Sequence, residues 1–163
     1  MNPCLNLYRT IILSVFPGLD LDETIEKHKD EYIIKRMPEF GRNKEIWSKD
    51  EYIELLEKYY DNADFIIIDP EEETRRLVRK NMFKFYMVIP DHRIFNSYSK
   101  RVPMSEYEYN ARMKEILQRK GIASGYRIWR LGKKQTLDSI FYDIIRFDTN
   151  KFLESNSKFK YQI

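Results

Sequence analysis

The chain has 163 residues, of which 42% are hydrophobic, 15% aromatic and 34% charged. That suits one globular domain with apolar surface enough for a core, and it excludes two large domains and global disorder. Twenty-nine basic against 26 acidic side chains leave +3, too balanced for a protein that coats a duplex, so nucleic acid is not the expected partner.

Cys4 is the only cysteine, which removes an intramolecular disulfide framework and a thiolate zinc cluster and fits a reducing setting. The longest apolar stretches, Ile11 to Phe16 and Phe65 to Ile68, are far shorter than the roughly 18–20 residues that span a bilayer. The N-terminus lacks a basic region followed by an apolar one. The expectation is a soluble, cytoplasmic protein without membrane contact.

In chain order, Thr10 to Phe16 reads as a buried strand that Pro17-Gly18 ends before the charged helical run Asp22 to Glu31. Tyr32 to Ile34 predicts a second short strand, followed by a loop around Pro38, Gly41 and Asn43. Ser48-Lys49-Asp50-Glu51 has capping-box spacing, and Tyr52, Leu55, Leu56 and Tyr59 form one apolar stripe, so a helix is expected over Lys49 to Tyr60. Phe65 to Ile68 is apolar throughout, as in a central parallel strand buried on both faces. Asp69 and Pro70 then look like the N-cap and first residue of a helix over Glu71 to Asn81.

Phe83 to Ile89 predicts the next strand, ended by Pro90, with a polar helix from Asp91 to about Arg101 after it. Ser105-Glu106-Tyr107-Glu108 opens another helix by capping chemistry, and Gly121 closes it. Tyr126 to Leu131 is a last strand, and Leu137, Ile140, Phe141, Ile144 and Ile145 make an amphipathic C-terminal helix. Strands separated by helices require crossover connections. The predicted fold is therefore α/β, a three-layer parallel sheet with helices on both faces, in one domain over residues 1–153 with a polar tail over 154–163.

Ligands of open α/β sheets bind at the carboxyl ends of the strands, which directs attention to the loop Phe16-Pro17-Gly18-Leu19-Asp20-Leu21-Asp22-Glu23-Thr24. Here the chain resembles small P-loop nucleoside or nucleotide kinase-like proteins common in bacteriophages, whose first strand runs into F-P-G-[TS]-G-K-[ST]. Phe16-Pro17-Gly18 matches that run. The resemblance extends over about residues 9 to 105 through Asp64-Phe65-Ile66-Ile67, Thr74-Arg75-Arg76-Leu77-Val78, Phe85 to Asp91 and Phe95 to Arg101. It implies a P-loop kinase-like fold, a viral or phage origin, and a lid helix in which Lys100 and Arg101 contact phosphates.

The departure is at the chemical centre. The family's second loop glycine falls on Asp20, its phosphate-binding lysine on Leu21 and its magnesium-binding Ser/Thr on Asp22. A phosphate loop works because glycines let backbone N–H groups curl round the phosphates while the lysine neutralises them. Leu21 supplies no charge, and Asp20, Asp22 and Glu23 would oppose a triphosphate by about 4 kcal/mol per close pair at an effective dielectric near 20. These carboxylates also have a plain structural use, since an Asp N-cap and acidic first-turn residues stabilise a helix by roughly 0.5–2 kcal/mol.

Asp20-Leu21-Asp22-Glu23-Thr24 also resembles the D-x-D-x-T signature of haloacid-dehalogenase-like phosphatases. That resemblance implies Asp20 as nucleophile, Asp22 as general acid and a bridging magnesium ion. Phe65 to Asp69 matches a Walker B strand, whose carboxylate holds magnesium through water, which makes Asp20, Asp22 and Asp69 the alternative metal set. Any buried strand followed by an Asp N-cap gives the same pattern.

His28 and His92 lack metal-ligand spacing and read as surface residues. Arg75, Arg76, Arg79 and Lys80 read as a solvated basic face paired with Glu71 to Glu73. Tyr126-Arg127-Ile128-Trp129-Arg130 interleaves basic and aromatic residues, as a nucleic-acid platform does, but equally describes a half-buried edge strand. The expected function is that of a catalytically degenerate nucleotide-kinase-like protein without a cofactor that acts by binding a protein partner. A magnesium-dependent phosphatase is the alternative, and a divergent kinase that draws charge from Lys100 or Arg101 is the third reading.

Overall fold

The computed structural model describes residues 10–90, 104–118, 126–131, 137–139 and 141–147. The expected helix over 91–101, with Lys100 and Arg101, lies outside the described residues, as do His92, Gly121 and the polar tail.

Five strands form one all-parallel sheet: β1 (Ile11–Val15), β2 (Ile34–Arg36), β3 (Phe65–Ile68), β4 (Phe85–Pro90) and β5 (Tyr126–Leu131), in the order β2-β3-β1-β4-β5. The helices between them are α1 (Leu21–His28), α2 (Lys49–Tyr60), α3 (Glu72–Lys80) and α4 (Glu106–Gln118), and residues 137–139 and 141–147 are helical after β5. The α/β class with helices on both sheet faces is therefore established. No helix among the described residues is long and apolar enough to cross a membrane.

β1 and β3 are buried at every position, as their unbroken apolar runs require of central strands. Ile11 pairs with Phe65 and Ser14 with Ile68, while Leu13 to Val15 pair with Tyr86 to Val88 on the other side. The chain leaves β1 toward β2 but leaves β2, β3 and β4 in the opposite direction. Right-handed crossovers then put α1 on one face and α2, α3 and α4 on the other. Ring contacts agree: Phe141 stacks on Phe65 at 4.6 Å and on His28 at 5.6 Å on the α1 face, while Phe16 meets Tyr109 of α4 edge-on at 5.8 Å.

Several boundaries differ from expectation for identifiable reasons. The second strand is Ile34–Arg36 rather than Tyr32 to Ile34, because the Ile33 N–H is taken by the Asp64 carboxylate (2.7 Å) and pairing with β3 begins at Ile34 opposite Phe65. Tyr32 instead packs edge-on against Phe65 at 5.4 Å. β4 starts two residues late, since Met82 takes a left-handed turn with φ 71° and Phe83 still bonds back to Val78. It runs through Pro90, which pairs with Leu131 beyond the last β1 pairing at Val88.

Two polar residues expected at the surface are buried. His28 is 1% exposed and contacts the Glu31 and Asp138 carboxylates inside a cage of aromatic rings. Arg75 is 3% exposed, forms a two-point ion pair with Glu115 of α4 and donates from Nε to the Pro70 carbonyl at 3.0 Å. A polar residue on the inward side of an amphipathic helix is buried when a partner is waiting there. Arg76 does pair with Glu72 at 2.6 Å, as helical spacing predicts.

Ser48 caps α2 as expected, accepting from the Glu51 N–H at 3.3 Å. Tyr52 of that helix is fully buried, with Phe40 at 5.3 Å between ring centroids, and among the described residues its hydroxyl has no hydrogen-bond partner. Burial pushes the phenol far above its usual range, so it stays a neutral, unsatisfied donor. An unmade buried hydrogen bond costs about 1–3 kcal/mol. Tyr52→Phe is therefore expected to raise stability by about 1 kcal/mol, read as a higher urea midpoint at unchanged m-value.

Candidate functional site

The loop after β1, the end of β2 and the turn after β3 meet at the carboxyl edge of the sheet around a cleft of about 410 Å³. It collects every residue of the degenerate phosphate loop: Phe16, Pro17, Gly18, Asp20, Leu21 and Asp22 all line it. Asp69 and Pro70 face them from the end of β3, and Arg36, Met37 and Glu39 come from the end of β2. The opposed departure directions of β1 and its neighbours make this a topological switch point, where open α/β sheets leave room for a ligand.

The loop backbone turns twice through the left-handed region, at Gly18 (φ 87°) and at Asp20 (φ 54°, ψ 41°). These are the two positions at which the resembled family carries glycine. Gly18 adopts this conformation freely, and Asp is among the few other residues that tolerate it. Asp20 does stand at the N-cap of α1, but its side chain makes no capping bond; its carbonyl instead accepts from the Thr24 N–H (3.1 Å) and hydroxyl (2.9 Å). The dipole-favoured acids Asp22 and Glu23 occupy the first turn as expected.

The lining carries five carboxylates, Asp20, Asp22, Glu23, Glu39 and Asp69, and one guanidinium, Arg36. Asp22 pairs with that guanidinium, so the site's cation is engaged from within. Sequence reading did not anticipate Arg36 or Glu39, because it ended the second strand two residues early. The available signal was the rule that residues following a parallel strand line the ligand edge.

Asp69 is held by three donors: the Glu71 N–H on Oδ1 (3.0 Å), and the Phe40 N–H (3.2 Å) and Thr74 hydroxyl (2.9 Å) on Oδ2. It thus begins the turn into α3 without being its N-cap, a position that falls to Glu71. Its carbonyl accepts from the Ser14 hydroxyl at 3.1 Å, tying the turn to β1. Burial raises the Asp69 carboxyl above its ordinary range, with the three hydrogen bonds acting against the rise. Asp20, Asp22 and Asp69 share the cleft. Among the described residues, no group of three His, Cys, Asp or Glu side chains is arranged to hold a metal ion.

For the phosphatase motif, the strand ends at Val15 and Pro17-Gly18 separates it from Asp20, while Asp22 forms an exposed ion pair with Arg36. A smaller cleft of about 270 Å³ lies beyond Phe16 and Pro70, bounded by Glu71, Arg75, Arg112 and Glu115. At the far edge of the sheet, Trp129 of β5 packs edge-on against Tyr86 and Phe147, so its ring is engaged as in a half-buried edge strand. No protein-family model matches the chain, and no curated protein aligns with it.

Proposed function

We propose that the chain is a catalytically degenerate, nucleotide-kinase-like protein that acts by binding a protein partner rather than by phosphoryl transfer. One observation carries the reading. The loop after β1 keeps left-handed backbone at the two glycine positions of the resembled family, yet fills its cleft with carboxylates and spends Arg36 on Asp22. A triphosphate would have to displace Asp22 and lie against the remaining acids, with Leu21 offering no compensating charge. One fold hosts many functions, so a scaffold without phosphate chemistry can serve to recognise another macromolecule. A cytoplasmic, viral or phage setting belongs to the same reading.

The test is a thermal-shift and calorimetric panel of purine and pyrimidine nucleoside triphosphates with magnesium. The full chain is expected to show no stabilisation and no phosphoryl transfer, whereas micromolar binding of any triphosphate overturns the reading in favour of an active kinase. Phosphomonoester hydrolysis with magnesium is expected at background rate and equal in Asp20→Asn. A magnesium-dependent rate lost in that variant would establish the phosphatase instead.

A further inference from the structure

We propose that the turn between α3 and β4, with Met82 at its tip, docks into the carboxyl-edge cleft of a second copy of this chain and joins the molecules head to tail. Docking of this kind rests on the protein-binding reading above and gives that partner an identity.

α3 ends in a Schellman turn: the Met82 N–H bonds to the Arg79 carbonyl at 2.9 Å and the Phe83 N–H to the Val78 carbonyl at 3.2 Å. The residue after the cap of such a turn takes left-handed backbone and is usually glycine, which adopts it without a steric penalty. Here it is Met82, at φ 71° and 89% exposed. A methionine at this point strains the backbone and buries almost none of its side chain in its own fold, so it is presented outward against two local preferences at once.

The surroundings of Met82 are basic. Arg79, Lys80 and Lys84 are exposed on either side of it, and no acidic residue occurs from Thr74 to Lys84. Phe83 packs its ring edge-on against Tyr60 at 5.3 Å, which brings the end of α2 beside the turn; Lys58 and Asp61 there offset each other in charge. The turn therefore offers one adaptable apolar side chain among positive charges. Its complement is an apolar pocket with an acidic rim.

The cleft has that character, with five carboxylates against one guanidinium and an apolar wall from Leu21, Met37 and Pro70. Turn and cleft cannot meet within one molecule, because α3 starts beside the cleft and its nine residues carry the chain about 14 Å toward the opposite edge of the sheet. A contact between unlike surfaces leaves a free turn at one end and a free cleft at the other, so it propagates instead of stopping at a dimer. An anionic bilayer suits the turn less well, since such binding takes clusters of about 4–8 basic residues. A nucleic-acid strand would want an exposed ring to stack on, and Phe83 is engaged by Tyr60.

Sedimentation equilibrium of the full chain from about 10 µM to about 1 mM, the range of weak protein contacts, tests this. In about 50 mM salt the mean mass is expected to rise with concentration past that of a dimer, and the association constant to fall at least tenfold in about 500 mM salt. Met82→Gly is expected to weaken association about tenfold, as loss of a central anchor does, with no fall in melting temperature because glycine suits the left-handed backbone. A turn variant (Lys80→Gln, Met82→Gly, Lys84→Gln) and a cleft variant (Glu23→Lys, Glu39→Lys) are each expected to stay monomeric alone and, mixed in equal amounts, to form heterodimers that grow no further. If the cleft variant does not fold, the turn variants and the salt response carry the test.

A wild-type chain that stays monomeric or stops at a dimer, or association unchanged in the turn variants, overturns the proposal and leaves the protein-binding reading standing. Triphosphate binding in the nucleotide panel removes that reading instead. A monomeric chain that binds phosphatidylserine vesicles or a single-stranded oligonucleotide through this turn also overturns the proposal.

Discussion

An Asp20→Gly, Leu21→Lys, Asp22→Thr variant is expected to gain a magnesium–ATP-dependent thermal stabilisation that the wild-type chain lacks. Each change addresses one obstacle. Gly at position 20 keeps a backbone conformation already left-handed, at φ 54°, and removes one carboxylate. Lys at 21 restores a cation in the cleft, and Thr at 22 releases Arg36 from its ion pair. The loss of an acidic first-turn residue from α1 costs only about 0.3–1 kcal/mol.

At 100 times its dissociation constant a ligand contributes about 2.7 kcal/mol, which for a chain of this size is a shift of about 5–10 °C. A wild-type chain stabilised as strongly as the variant would show that the acids do not block the phosphates. A folded variant that stays silent would restrict the likeness to the fold.

The second large effect is expected at Asp69. Asp69→Ala strands the part-buried Phe40 N–H and the hydroxyl of the fully buried Thr74, while the exposed Glu71 N–H can turn to water. Unpaired buried donors cost about 1–3 kcal/mol each, and relief of the buried charge returns part of that. A net loss of about 3 kcal/mol follows, a fall in melting temperature of about 6–12 °C. Magnesium at millimolar concentration is expected to change neither chain. Stabilisation of the wild type by magnesium, abolished in Asp69→Ala, would instead make Asp69 a metal ligand.

The pH dependence has a defined sign. Burial raises the folded-state carboxyl, so in the window between the unfolded value of about 3.9 and the raised folded value the native state binds more protons. The contribution of Asp69 therefore falls as pH rises through that window. Asp69→Asn, which cannot ionise, is expected to flatten this limb of the urea-midpoint profile.

The sequence by itself determined the elements and their class. Unbroken apolar runs at Ile11–Val15 and Phe65–Ile68 can only be satisfied by burial on both faces, and the helical stretches between strands require parallel crossovers. It also located the loop from Phe16 to Asp22, because a strand stop followed by Pro-Gly and acids is a local signal. Gly41 and Asn43, expected in a loop, both take positive φ.

Tertiary structure alone decided which polar residues matter. His28 and Arg75 carry no local mark that separates them from surface charges, and Asp69, marked by the apolar strand before it, carries none that shows its partners. Their partners Asp138, Glu115 and Phe40 lie 110, 40 and 29 residues away in the chain. The identity of Arg36 as the cleft's cation depended on the strand order and on a second strand that runs over Ile34–Arg36, two residues beyond the expected Tyr32 to Ile34. Hydrophobic burial is read from neighbours in sequence, whereas a buried charge is stable only where folding delivers its counter-charge.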